Sequence, residues 1–197
     1  MQTPGEKIST SERFIMNGNF DWGILYWIQD NIRCDSLDRF FLGFTKLGNK
    51  GLIWLLLSGQ MLLTKKYRKV AFCVVIGMAL GIIIGNMLIK NIVLRPRPCW
   101  LESGIQYLIF PHDYSYPSGH ALSCTIAATI MFLSDKKLGI VAIPVAVLIA
   151  FSRLYLFVHF PTDVFGGILL GFLIAYVVLR YAGLFDTGLN KRYPCKP

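Results

Sequence analysis

The stretch that decides the fold is VAFCVVIGMALGIIIGNMLI, at residues 70–89. It contains no charged side chain, and its only amide side chain belongs to Asn86. A helix rises about 1.5 Å per residue, so a segment of this length crosses a hydrocarbon core of about 30 Å. The sequence therefore predicts an integral membrane protein.

Shorter uncharged stretches on both sides of this segment indicate further membrane helices. Each has about 14–16 residues, which is enough when one end lies in a protein-lined cavity or at the interface. They lie at 51–64, 121–134, 138–152 and 164–179. The sequence predicts an all-α membrane bundle of about five to six transmembrane helices.

An amphipathic pattern precedes the first of these stretches. Ile24, Trp27 and Ile28 recur at helical spacing, and Phe40 and Phe44 repeat the pattern further on. We predict an N-terminal amphipathic helix that is either interfacial, beside a lipid entrance, or a packing helix that covers the bundle. The second pattern can also be the first half of a long, interrupted span.

The composition excludes most other classes of protein. Of the 197 residues, 54% are hydrophobic and 16% are charged, whereas soluble domains average about 25% charged residues. Disordered chains are poor in apolar residues, so disorder is excluded. The net charge of +9 does not indicate a nucleic-acid binder, because the charges lie between apolar runs instead of covering a solvated surface.

Basic residues gather at one end of the predicted bundle and give its orientation. They are Lys65, Lys66, Arg68, Lys69, Lys136, Lys137, Arg180, Lys191, Arg192 and Lys196. Short basic connections mark the cytoplasmic side of a membrane protein. The loop at 94–118 and the connection at 153–163 then face outward. The N-terminus lies outside if there are five spans and inside if there are six.

The five cysteines have neither the spacing of a zinc site nor that of a disulfide framework. Cys34 and Cys99 are predicted on the same side of the membrane. A bridge between these two stays open, because its geometry is not readable from sequence.

Three groups of chemically capable residues fall on the outward side. They are Lys90 with Arg97-Pro98, then Pro117-Ser118-Gly119-His120, then Ser152-Arg153 with His159 and Asp163. Consecutive membrane helices alternate in direction, so we expect these distant groups to meet at one membrane face. A lysine or arginine at a helix end is more often an interfacial anchor, and we interpret Arg95, Lys65 and Lys66 in that way.

The basic members of these groups predict an oxyanion site. Lys90, Arg97 and Arg153 supply fixed positive charge, and the planar arginine fork matches phosphate oxygens. Ser118 and Gly119 are predicted to open a helix, where backbone N–H groups and the helix dipole favour an anion. Gly119 lets the anion approach closely because it has no side chain.

Two histidines complete the predicted chemistry. Asp163 follows His159 at helical i+4 spacing, so its carboxylate can fix one ring nitrogen and free the other to attack phosphorus. His120 is the predicted general acid for the leaving oxygen. No cluster of Asp or Glu suits Mg²⁺, so a mechanism without metal or cofactor is favoured.

The ordered signature Lys-x6-Arg-Pro, Pro-Ser-Gly-His and Ser-Arg-x5-His-x3-Asp resembles the type 2 phosphatidic acid phosphatase superfamily. The resemblance runs from about residue 90 to residue 163, with all three parts in order. It implies a phospho-histidine on His159, support from Asp163 and proton donation by His120. It also implies phosphate binding by Lys90, Arg97, Ser118, Gly119 and Arg153.

The resemblance implies a metal-independent lipid phosphatase whose partners are a lipid phosphate and the bilayer. Within it, the short bacterial undecaprenyl diphosphate phosphatases are favoured, with the site on the outer face of a bacterial plasma membrane. Phosphatidylglycerophosphate, phosphatidic acid and lipid A phosphatases, and lipid phosphotransferases, stay open, as does the oligomeric state. The expected organisation is an N-terminal segment with the amphipathic helix at 1–36, a membrane phosphatase domain at 37–183 and a cytoplasmic tail at 184–197.

Overall fold

The computed structural model describes residues 20–102 and 104–184, and within them the chain is helical, with no strand. Helices α1 (Phe20–Asn31) and α2 (Asp35–Leu47) come first, and a 3-10 turn at Asn49–Gly51 leads into α3 (Leu52–Leu62). The later elements are α4 (Arg68–Gly81), a π-helical continuation (Ile82–Ile89), α5 (Lys90–Val93), α6 (Pro98–Leu101), α7 (Gly119–Ser134), α8 (Lys136–Tyr155) and α9 (Pro161–Tyr181). The all-α prediction is confirmed.

Three helical segments are long and apolar enough to cross a membrane: Arg68–Leu101, Lys136–Tyr155 and Pro161–Tyr181. Helix α2 and the segment Asn49–Leu62 meet at a 43° bend and would make a fourth span together. Helix α7 is apolar but shorter. The count of five to six spans therefore stays a prediction.

Helix α7 is the centre of the bundle, and α4, α8 and α9 pack around it. Its side chains Ile126 and Ile130 are fully buried. Gly77 and Gly81 of α4 lie against α7, and Gly171 of α9 lies against it from the other side. Small residues at these positions let the helix backbones approach closely, as in other membrane bundles.

The two short basic connections lie together at one end of the bundle. Lys66 Nζ lies 3.1 Å from Oδ2 of Asp135, and the Tyr67 hydroxyl donates to the same oxygen at 3.0 Å. The opposite end holds the start of α7, the end of α8 and the start of α9. Because α7 and α8 run in opposite directions, the signature residues on them come together there.

Helix α1 packs on the bundle at that opposite end. Leu25 and Ile28 are buried, and the Trp22 ring makes an edge contact with Phe160 at a centroid distance of 5.1 Å. This agrees with the interpretation of α1 as a packing helix. Cys34 and Cys99 are free thiols, so no bridge joins them.

Candidate active site

The first part of the signature lies toward the end of the helical segment Arg68–Leu101. Lys90 directly follows the π-helical segment, and Arg97 precedes Pro98, the first residue of α6. π-Helical segments are often found at functional sites. Lys90 is 6% exposed and Arg97 is 2% exposed, although both carry charge. Buried cations of this kind need anionic or polar partners.

Asp113 is the anionic partner of both cations. Its carboxylate lies 2.6 Å from Lys90 Nζ through Oδ2 and 2.8 Å from Arg97 Nη2 through Oδ1. The Arg97 Nε also donates to the Asp113 carbonyl at 2.6 Å. Burial raises the pKa of Asp113, but the hydrogen bond from Lys90 and the charge of Arg97 outweigh it and lower the pKa to about 2. The carboxylate is therefore ionised at physiological pH.

The second part of the signature opens α7, as the sequence predicts. Ser118 is the N-cap, and its hydroxyl oxygen accepts from the Ala121 backbone N–H at 3.5 Å. In this contact the hydroxyl acts only as an acceptor. Gly119 lies so close to Asn86 that a Cβ there would sit 2.9 Å from Asn86 Oδ1.

The third part begins with Arg153 at the end of α8. Arg153 is 4% exposed, and its Nη1 donates to Thr45 Oγ1 of α2 at 2.6 Å. Within the described residues its Nε has no hydrogen-bond partner. Helix α2 therefore orients the guanidinium and leaves part of it available to an anion.

His159 lies in the connection between α8 and α9 and is 1% exposed. Its Nε2 lies 3.0 Å from Arg97 Nη1, and its Nδ1 lies 3.6 Å from Oδ2 of Asp163. Ser115 lies beside this pair, with Oγ 3.4 Å from His159 Nδ1 and 2.5 Å from Asp163 Oδ2. Burial, with the charges of Arg97, Arg153 and Lys90, holds the pKa of His159 well below its usual value. Both effects favour the neutral imidazole.

His120 lies on α7, one residue after Gly119. Its Nε2 is 3.0 Å from Oδ1 of Asn49, in the turn between α2 and α3. Gly48 packs against the ring, where a Cβ would approach His120 Cδ2 at 2.7 Å. The turn therefore holds the second histidine from the side away from α7.

A cavity of about 510 Å³ joins these residues. Six predicted site residues line it: Lys90, Arg97, Gly119, His120, Arg153 and His159. Ser118 and Asp163 are fully buried behind that wall. Apolar side chains, among them Met78, Ile82 and Leu122, also line it, together with Lys46, Lys50 and Asp113. The lining therefore combines cationic and apolar side chains, which suits an amphiphile with a phosphate headgroup.

Residues 70–185 match the PAP2 superfamily. The chain belongs to this superfamily. Undecaprenyl-diphosphatase of Sulfolobus acidocaldarius is 35% identical over 148 residues, which is 74% of this chain and 70% of that protein. Phosphatidylglycerophosphatase B of Bacillus subtilis is 35% identical over 104 residues, covering 47% of this chain and 49% of that protein.

Two solved structures share the fold. The transmembrane PAP2 type phosphatidylglycerolphosphate phosphatase from Bacillus subtilis superposes with a TM-score of 0.69 at 26% identity, covering 88% of this chain and 89% of that chain. The structure of Aquifex aeolicus LpxE superposes with a TM-score of 0.69 at 28% identity, covering 83% of this chain and 96% of that chain. The chain is therefore a membrane lipid phosphatase of the PAP2 superfamily.

Arg95 has a different place from the one expected for this PAP2 chain. It was interpreted as an interfacial anchor, but its Nη1 donates to Asp163 Oδ1 at 2.6 Å. The spacing of Arg95 and Arg97, two residues apart around Pro96, could have indicated that both side chains reach the same site. Side chains two apart share a side in extended backbone, and Arg97 contacts His159 while Arg95 contacts Asp163, its ion-pair partner. The interpretation of Arg95 as an anchor was therefore wrong.

Asp113, Ser115, Thr45 and Asn49 were also missed. Each lies outside the signature, in a loop or on α2, and each contacts a signature residue only because distant segments meet. Among the described residues no group of three or more His, Cys, Asp or Glu is arranged to hold a metal ion. The metal-free mechanism stays a prediction.

Proposed function

We propose that the chain hydrolyses undecaprenyl diphosphate to undecaprenyl phosphate, recycling a cell-wall carrier lipid, through a phospho-histidine on His159. The observation that carries the proposal is the position of His159 Nε2. This nitrogen is held 3.0 Å from Arg97 Nη1 and shares a cavity with Lys90 and Arg153. Phosphate oxygens bound to these cations would bring phosphorus within reach of a neutral imidazole nitrogen.

The reaction proceeds in two balanced steps. His159 Nε2 forms a bond to the terminal phosphorus while the bridging P–O bond breaks, and His120 gives a proton to the leaving oxygen. Water then attacks the phospho-histidine, His120 takes its proton, and the N–P bond breaks to release inorganic phosphate. Asp163 keeps the proton on His159 Nδ1 throughout, which stabilises the charge that the ring gains.

Positive charge on the leaving-group side supports a diphosphate substrate. His120 contacts Asn49, and the neighbouring Lys46 and Lys50 line the same cavity. When the substrate is a diphosphate, the leaving group is itself a lipid phosphate. Two lysines beside it would stabilise the charge that develops there. A phosphate monoester of a lipid alcohol would not use them in this way.

The relatives support the same substrate class. The Sulfolobus relative is named for undecaprenyl diphosphate and aligns along most of both chains. The Bacillus phosphatidylglycerophosphatase B aligns over a shorter region and favours phosphatidylglycerophosphate as the second candidate.

We also propose that the site faces the outer side of a bacterial plasma membrane. The basic connections at 65–69 and 135–137 lie at the end of the bundle away from His159. Under the positive-inside rule that basic end is cytoplasmic. Segments 1–36 and 184–197 are proposed as the N-terminal segment and cytoplasmic tail around a phosphatase domain at 37–183.

A rate comparison on purified protein in detergent tests the substrate. The substrates are undecaprenyl diphosphate, phosphatidylglycerophosphate and phosphatidic acid, with phosphate release as the readout. We expect the highest kcat/KM on the diphosphate and a loss of that preference in Lys46→Gln/Lys50→Gln. Lys65→Gln/Lys66→Gln, at the other end of the bundle, is the matched control. A higher kcat/KM on phosphatidylglycerophosphate would replace the proposed substrate by the second candidate.

A further inference from the structure

Arg95 lies between two buried carboxylates. Its Nη1 is 2.6 Å from Oδ1 of Asp163, and its Nη2 is 2.7 Å from Oδ2 of Asp21. The carboxylates are 0% and 5% exposed, and the guanidinium lies over the Phe160 ring, 4.3 Å from its centroid. A planar fork with several donors is suited to holding two carboxylates at once.

Asp21 fixes the other end of this arrangement. It belongs to α1, far from the signature in sequence, and its Oδ1 accepts from the Thr162 backbone N–H at 3.0 Å. The Thr162 hydroxyl donates to Asp21 Oδ2 at 2.6 Å, and Arg95 Nη1 lies 2.7 Å from that hydroxyl oxygen. Arg95, Asp21 and Thr162 therefore form a closed set of contacts at the first turn of α9.

The second oxygen of Asp163 is held independently. Its Oδ2 accepts from the Phe160 backbone N–H at 2.8 Å and from the Ser115 hydroxyl at 2.5 Å. The same oxygen faces His159 Nδ1 at 3.6 Å. Since Arg95 holds Oδ1, rotation of the carboxylate would break contacts on both oxygens. Its orientation toward the imidazole is therefore fixed from two sides.

We propose that Arg95 and Asp21 are positioning residues for the nucleophile. They hold the Asp163 carboxylate 3.6 Å from His159 Nδ1, where its negative charge favours a proton on that nitrogen and leaves Nε2 unprotonated. This inference rests on the proposed role of His159 as nucleophile. It gives α1 a role in positioning the nucleophile, since Asp21 of α1 holds Arg95 against Asp163. Residues that contact a catalytic side chain without touching the substrate commonly set the orientation of that side chain.

Conservative variants separate positioning from folding. Arg95→Lys keeps the charge but loses the planar fork, so it cannot hold both carboxylates in the same geometry. Asp21→Asn keeps the shape and an oxygen for the Thr162 N–H, but removes the charge that faces Arg95. Arg33→Lys is the matched control. Arg33 Nε lies 3.3 Å from Asp38 Oδ2, and neither residue lines the cavity that contains His159.

The test measures kcat, KM and vanadate inhibition of the purified full chain on undecaprenyl diphosphate, with the melting temperature of each variant. We expect kcat to fall at least about tenfold in Arg95→Lys and Asp21→Asn, with KM and the vanadate Ki within about threefold. The phosphate cradle of Lys90, Arg97 and Arg153 is untouched, so binding is kept. We also expect the double variant to lose no more than the worse single variant, because both residues act through Asp163.

Three results would overturn the inference. They are an unchanged kcat, a loss that appears in KM instead of kcat, and a loss no larger than that of Arg33→Lys. His159→Ala is run alongside to test the proposed function separately. If His159→Ala keeps its activity, the proposed function fails. If only His159→Ala is inactive and the positioning variants match the wild type, this inference alone fails.

Discussion

Nη1 of Arg97 lies 3.0 Å from Nε2 of His159. An arginine is always charged and can only donate, so the imidazole nitrogen that faces it must be an acceptor. His159 also lines the cavity that Lys90 and Arg153 share. The same guanidinium can therefore hold a phosphate oxygen and keep the nitrogen that we propose as the nucleophile unprotonated.

The pH dependence of the reaction should report this contact. Burial and the neighbouring cations hold the pKa of His159 below its ordinary value of about 6.5. The neutral, reactive form then persists as the pH falls, and activity is lost only when the pH passes below the lowered pKa. We expect the acid limb of kcat/KM to lie below pH about 6.5, measured by phosphate release across a buffer series.

The variant Arg97→Gln removes the positive charge beside His159 and is the control for the pH profile of kcat/KM. In Arg97→Gln the pKa of His159 should rise, and the acid limb of the residual activity should move to higher pH. An acid limb at or above pH about 6.5 in the wild type would contradict the interpretation of His159 as a neutral nucleophile.

Asp113→Asn should strengthen the binding of phosphate analogues. The Asp113 carboxylate is bound to Lys90 and Arg97, the cations that are proposed to hold the substrate phosphate. Its negative charge repels an incoming oxyanion, and the amide removes that repulsion. We expect the Ki of orthovanadate to fall by about three- to tenfold, since unit charges a few ångströms apart near a surface interact by more than 1 kcal/mol. A weaker vanadate inhibition would instead make Asp113 a support for the two cations.

Gly119→Ala should slow the reaction by crowding the N-terminus of α7. A Cβ at this position would sit 2.9 Å from Asn86 Oδ1 and would occupy space at the N-terminus of α7. Displacement of a substrate-binding group by about 1 Å can reduce the rate about 100-fold, so we expect kcat/KM to fall at least tenfold. Gly43→Ala in α2 is the control, because a Cβ there meets nothing within 4 Å. Equal activity of the two variants would argue against close approach of the anion to Gly119.

Chelation should leave the activity intact. Lys90, Arg97 and Arg153 are among the cations that line the cavity, and they can supply the charge that a metal ion provides in other phosphatases. We expect phosphate release to continue at an unchanged rate in EDTA. Activity that disappears in EDTA and returns with added Mg²⁺ would refute the metal-free mechanism.

The sequence predicts the membrane character, the helical class and the signature residues that meet at one end of the bundle. These follow from long uncharged stretches and from fixed local spacings, such as Ser118 at a helix cap and Asp163 four residues after His159. Both features depend on nearby residues in the chain, so they are readable without a structure.

The partners of the signature residues were not predictable in this way. Arg153 is oriented by Thr45, and His120 by Asn49, across 108 and 71 positions of the chain. Such contacts depend on how α2 and the following turn fold over the bundle. A charged side chain such as Arg95 also looks like an interfacial anchor until the distant Asp21 and Asp163 are brought to it.

The most direct test of the account is capture of the phosphorylated enzyme. Full-length protein in detergent is mixed with undecaprenyl diphosphate carrying ³²P in the terminal phosphate, quenched in alkali within milliseconds and digested for mass spectrometry. The account predicts an acid-labile, alkali-stable phosphate on His159 that is absent from His159→Ala. A labelled residue other than His159, or turnover by His159→Ala at the wild-type rate, would contradict it.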